Sequence, residues 1–137
     1  MTRAGPAPAG RRVRGVHHLA VLVRDLGRAE RFYRRLFGLR VVKRWQDERG
    51  RPRSVWLALD DRVFFALERA ERPGPRRAPL APGWHCVALA IGRRERELWR
   101  RRLARARVEV ERETAYTLFV RDPDGNLLGL SHYPEPA

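Results

Sequence analysis

Apolar and polar positions alternate along residues 16–23, the period of a half-buried strand. Leu19, Val21 and Val23 fall on one side, and His18, Ala20 and Leu22 on the other. The period then lengthens. Ala29, Phe32, Tyr33, Leu36 and Phe37 recur at helical spacing, with Arg28, Arg31, Arg34 and Arg35 mostly on the opposite face. Asp25 is placed to cap this helix at its start and Gly38 to end it. Residues 39–45, 54–59 and 63–69 read as three strands. A polar loop with Gly50 and Pro52 and a turn at Asp60-Asp61 separate them. The first half therefore reads β-α-β-β-β.

Residues 71–82 hold Pro73, Gly74, Pro75, Pro79 and Pro82, a density that prevents regular structure and marks a linker. The order then repeats. Residues 84–91 read as a strand, and residues 93–106 as a helix burying Leu98, Trp99, Leu103 and Ala106. Residues 108–113, 116–120 and 126–132 read as strands. Asp122-Pro123-Asp124-Gly125 is a tight turn, in which aspartate bonds nearby backbone and glycine supplies positive φ. The copies also begin alike. Val16-His17-His18-Leu19-Ala20-Val21-Leu22-Val23 corresponds to Trp84-His85-Cys86-Val87-Ala88-Leu89-Ala90-Ile91. Self-similarity at this spacing defines two modules, residues 15–70 and 83–134. Each is marginal alone, so the two are expected to pack as one domain. Residues 1–14, rich in Ala, Pro, Gly and Arg, read as a disordered basic tail.

Charge widens the choice of partners. The net charge is +14, and of 30 basic residues only Lys43 is lysine. Such an excess suits nucleic acid, or more mildly a small anion drawn to a positive cleft. The arginines are scattered along the chain, and Arg, Ala, Gly and Pro all have GC-rich codons, so composition offers a competing explanation. No apolar run approaches the roughly 20 residues of a membrane helix, so no membrane partner is expected. The single cysteine, Cys86, excludes an intrachain disulfide and fits a reducing cytoplasm. No phosphate loop, dinucleotide fingerprint, helical zinc motif or nucleophile elbow is present.

Three stretches stand out. The first is His18-Leu19-Ala20-Val21-Leu22-Val23-Arg24-Asp25-Leu26, continued by Arg31-Phe32-Tyr33 and Leu36-Phe37-Gly38-Leu39. The others are Gly83-Trp84-His85-Cys86-Val87-Ala88 and Arg121-Asp122-Pro123-Asp124-Gly125-Asn126-Leu127-Leu128. Together they resemble the vicinal oxygen chelate superfamily of glyoxalases, fosfomycin-resistance enzymes, extradiol dioxygenases and bleomycin-resistance proteins. The resemblance implies an α+β fold in which two βαβββ modules form a cup-shaped, eight-stranded mixed sheet with helices on the outer face. It also implies a homodimer. Its members typically hold a divalent metal (Zn, Mn, Fe, Ni or Co) through His and Glu from the first and last strands of each module. That metal binds neighbouring substrate oxygens and stabilises the charge developing on them.

Carried over position by position, the ligand set falls on His18, Ala66, Cys86 and Gly129. Only His18 is of the usual kind. Alanine and glycine supply no ligand and are expected to enlarge the cup. Glu68 shares a strand face with Ala66 and is the remaining metal candidate beside His18. Cys86 offers either a thiolate for a borderline metal or a small buried packing group. Trp56 and Phe64 are candidate walls for an aromatic or planar ligand. In the strand at 116–120, either Thr117 and Phe119 or Tyr116 and Leu118 face inward. The expectation is a binding protein for a small organic ligand, anionic or aromatic, with a degenerate metal site. The alternatives are a metal-dependent lyase, isomerase or dioxygenase, and nucleic-acid binding through the arginines.

Overall fold

The computed structural model describes residues 5, 13–72, 74–78 and 82–137. Positions 1–4 and 6–12 of the expected tail, and 73 and 79–81 of the expected linker, lie outside the described residues. The first module consists of β1 (His18–Val23), α1 (Leu26–Phe37), β2 (Arg40–Gln46), β3 (Pro52–Ala58) and β4 (Phe64–Arg69). The second consists of β5 (Val87–Ala90), α2 (Arg96–Arg105), β6 (Arg112–Glu113), β7 (Thr117–Arg121) and β8 (Leu127–Ser131). A short 3-10 turn, Arg93–Glu95, leads into α2.

The repeat is exact at the level of topology. The strands form two four-stranded sheets, ordered β1-β4-β3-β2 and β5-β8-β7-β6. In each, the first strand runs parallel to the last and the remaining pairs are antiparallel. Eight strands and two helices thus give the expected α+β fold, with the strands divided between two hydrogen-bonded sheets.

Local chemistry sets the helix ends. The Asp25 carboxylate accepts from the Arg28 N–H at the start of α1, and Gly38 closes it in the left-handed region at φ 68°. The apolar side of α1 packs on the first sheet, where Tyr33 meets the Phe65 ring edge-on at 4.9 Å. Val23, Val55, Leu57, Phe65 and Leu67 of the first sheet share one core with Leu103, Leu118, Val120, Leu128 and Leu130 of the second module. Each such side chain stabilises the fold by roughly 1.5–3 kcal/mol. Phe37 of α1 packs against Trp99 of α2, and the Arg102 guanidinium donates to the Arg35 carbonyl.

The second module departs from its sequence pattern in three places. β5 starts at Val87, leaving Trp84 89% exposed. β6 is only two residues long. The buried face of α2 carries Leu103 and Arg96, whereas Leu98 is 60% exposed and Ala106 is also exposed. Arg96 is buried because its guanidinium finds partners, donating to the Thr114 carbonyl and to Nε2 of buried His132 at 2.8 Å each. No helix among the described residues is long and apolar enough to cross a membrane.

Candidate functional site

With the apolar set of each sheet committed to the core, the alternate residues make up an open face. On the first sheet these are His18, Ala20 and Leu22 of β1, Phe64, Ala66 and Glu68 of β4, and Ser54, Trp56 and Ala58 of β3. Leu22 is 68% exposed, and His18 and Ala20 are also exposed.

One aromatic ring from each strand crosses this face. His18 stacks on Phe64 with centroids 4.8 Å apart and planes 1° from parallel. Phe64 stacks on Trp56 at 4.3 Å and 18°, and Trp56 meets Trp45 of β2 at 5.5 Å. The spacing follows the separation of neighbouring strands, about 4.8 Å. Lys43 Nζ lies 4.0 Å from the centroid of Trp45. Because β4 lies between β1 and β3, Phe64 has one face against His18 and the other against Trp56. It is therefore sandwiched, and a ligand meets ring edges along the row and ring faces only at its ends. Ring edges are electropositive and favour anions and carbonyl oxygens. The Trp56 indole N–H is buried and, among the described residues, has no hydrogen-bond partner. An unmet buried donor of this kind costs about 1–3 kcal/mol.

The residues do not fit the family's metal. His18 is level with Phe64, whereas Glu68 is level with Leu22, four residues further along the parallel pair. Four strand residues span about 13 Å, too far for two side chains of one chain to share an ion at ordinary ligand distances. The Glu68 carboxylate instead accepts from the Ser54 hydroxyl at 2.8 Å. Ala66 is 2% exposed, so it opens no space. Cys86 lies just before β5 on the other sheet and is a free, partly buried thiol. Among the described residues no group of three or more His, Cys, Asp or Glu is placed to hold an ion. The nearest to a donor pair is one that sequence reasoning passed over: Nδ1 of His17 and Nδ1 of His18 are 2.9 Å apart at the exposed edge of β1.

On the second sheet Gly129 is level with both Ala88 and Phe119, and Thr117 with Ser131. Leu118 and Val120 enter the core, so Thr117 and Phe119 take the open face. Gly129 does not enlarge anything. A Cβ there would lie 3.0 Å from Thr117 Cγ2 and 3.5 Å from both Ala88 Cβ and Phe119 Cε1. The threonine is held in that position by its hydroxyl, which donates to Ser131 Oγ at 2.9 Å.

The first open face ends, near Glu68, in a charged depression. Its volume is about 1010 Å³, and it is bounded by Leu22, Asp47, Arg51, Arg53, Glu68 and Arg72, among others. Asp47 accepts from the Arg51 and Arg49 N–H groups and from the Arg51 and Arg69 guanidiniums. The Arg51 backbone bond above all, then Arg69, hold its carboxyl well below the usual range. It is consequently a fixed anion.

Trp45 and Lys43 could not be placed by alternation because register shifts fall between Val41 and Lys43 and between Trp45 and Gln46. Such an irregularity reverses the side to which later residues point.

The profile of the Glyoxalase/Bleomycin resistance protein/Dioxygenase superfamily matches residues 15–130. Comparison with curated protein sequences finds no match. Among solved structures, a glyoxylase/bleomycin resistance protein/dioxygenase domain from Frankia sp. EAN1pec superposes with a TM-score of 0.74 at 19% identity, covering 88% of this chain and 98% of that one. A mutant of the fosfomycin resistance protein FosX from Listeria monocytogenes, complexed with Mn(II) and 1S,2S-dihydroxypropylphosphonic acid, gives 0.71 at 17% identity, covering 88% and 93%. Lactoylglutathione lyase from Agrobacterium tumefaciens gives 0.65 at 21% identity, covering 90% and 96%. These likenesses concern the fold. Together with the family match over most of the chain, they show that the protein belongs to the Glyoxalase/Bleomycin resistance protein/Dioxygenase superfamily.

Proposed function

We propose that the chain binds a small organic anion with a planar part on the open face of its first sheet, without a metal ion. The observation that carries this reading is the row His18–Phe64–Trp56–Trp45, which begins at His18, the one carried-over ligand position that keeps a histidine. Positive ring edges and Lys43 beside Trp45 favour a ligand bearing negative or acceptor oxygens. Trp45, 39% exposed at one end of the row, offers aromatic surface to a planar body. A second copy of the chain is the natural cover for the exposed faces that carry Leu22, Ala20, Ala88 and Ala90.

Calorimetric titration with 2-naphthoate tests the reading. Saturable binding is expected, weakened at least about tenfold by Lys43→Gln or Trp45→Ala. Both positions are exposed, so neither change threatens the core. Binding that ignores both substitutions, or no binding, refutes it.

The competing reading is a metal-dependent lyase, isomerase or dioxygenase. It draws on the convergence of the His17 and His18 nitrogens and requires the remaining ligands from a second copy.

A further inference from the structure

The arginine-rich composition has a local expression far from the aromatic row. A cleft of about 920 Å³ lies between the outer side of α1, residues 76–78, the segment after α2 and the β7–β8 turn. Arg28, Arg31, Arg76, Arg77, Arg107 and Arg121 line it, against three acids, Glu109, Glu111 and Asp122. Two of these acids are already committed. Glu111 is bidentate to Arg121 at 2.7 and 3.1 Å. Asp122 is 2% exposed and its oxygens accept from Tyr33, Asn126 and the turn backbone. The side chains of Arg28, Arg31, Arg76 and Arg107 make no hydrogen bond or ion pair among the described residues, although Arg76 feels the Glu111 charge at longer range.

The cleft is built rather than draped. The Arg77 N–H donates to the Asp124 carbonyl at 3.1 Å, fixing residues 76–78 over the turn. That approach requires Gly125, at φ 86°, because a Cβ there would lie 3.3 Å from the Arg77 carbonyl oxygen. Arg107 is the one non-glycine residue at positive φ among the described residues, at 57°, where a chain leaving a helix ordinarily uses glycine. Half-buried Phe32 and Val108 supply an apolar floor.

Four like charges lining one cleft, with only Glu109 uncommitted against them, repel one another, and an anion bound among them relieves that repulsion. The volume is that of a site for one small molecule. Guanidiniums match phosphate oxygens in pairs, and several around one cleft match several linked groups. We infer that this cleft binds a small molecule carrying two or more linked phosphates, independently of any ligand on the aromatic row.

The test uses the full chain and isothermal titration calorimetry with inorganic tripolyphosphate, ATP and a single-stranded oligonucleotide. Two triple variants carry the same charge change. One is Arg28→Gln, Arg31→Gln and Arg107→Gln. The other is Arg40→Gln, Arg62→Gln and Arg94→Gln, at exposed positions outside the cleft. Tripolyphosphate is expected to bind one-to-one and to weaken about tenfold or more in the first variant and less than about twofold in the second. Tighter binding of ATP than of tripolyphosphate assigns the site to nucleotides through a ring on Phe32; equal binding assigns it to the phosphate chain alone. No binding at low salt, equal loss in both variants, or an oligonucleotide preferred over both small probes overturns the inference.

Discussion

Tyr33 and Asp122 are 89 residues apart in the chain, yet the phenol donates to the carboxylate at 2.7 Å in the buried seam between the modules. The Asp122 carboxylate also accepts from the Asp124 and Asn126 N–H groups and from the Asn126 side chain. A buried carboxylate is tolerable only when so surrounded. Next to it, the Arg24 N–H and guanidinium both donate to Asp124. The turn of one module is thereby clasped by the helix entrance of the other.

Replacing Tyr33 by Phe removes the donor and leaves the carboxylate short of one bond. The expected loss is about 2 kcal/mol, read as a lower urea midpoint with an unchanged denaturant slope. An unchanged midpoint contradicts the clasp.

Burial above all, then the Asp122 charge and hydrogen bond, push the Tyr33 phenol far above its ordinary value. The folded chain therefore holds this proton more tightly than the unfolded chain. The associated stability is complete below about pH 10 and declines as the pH rises beyond it. In a difference titration against Tyr33→Phe, the phenolate absorbance of Tyr33 should emerge only as the protein unfolds. Its emergence from the folded state contradicts the account.

Gly129→Ala should cost about 1–3 kcal/mol, because the added methyl meets Thr117 Cγ2. Thr117→Ser removes that methyl and retains the hydroxyl bonded to Ser131. The double variant should thus lie close to Thr117→Ser alone in thermal denaturation. Additive losses would show that the two side chains do not share the space.

Arg96→Met should destabilise the protein by about 1–3 kcal/mol, since it removes the donor from Nε2 of buried His132 and from the Thr114 carbonyl, while His132 Nδ1 keeps its bond to the Glu135 carbonyl. The loss should appear first at the C-terminus. There Glu135 N–H donates to the His132 carbonyl, and Ala137 N–H to Ala115. Amide exchange at Glu135 and Ala137 should quicken ahead of exchange in β8. Uniform quickening contradicts a local role.

The sequence made the fold legible because its cues are local. Asp25, Gly38 and the Asp122–Gly125 turn do what their chemistry predicts, and the two element orders agree. It was less informative wherever a partner distant in sequence decides the outcome. Leu98 fits a helical stripe better than Arg96, yet Arg96 is buried because Thr114 and His132 wait for it. Gly129 looks like space until Thr117 is seen to fill it. Strand alternation puts Trp56 and Phe64 on one face, but not the fact that Phe64 is covered on both sides. Glu68 shares that face with His18, and only the register shows how far apart they are.

The central claim is that the open face of the first sheet recognises an organic anion through its aromatic row and not through a metal ion. Elemental analysis after equilibration with Mn(II) and Zn(II) and exhaustive dialysis tests it most directly. The account predicts far less than one ion per chain, with no difference between the protein and its His18→Ala variant. A stoichiometric divalent ion that disappears in His18→Ala would contradict it.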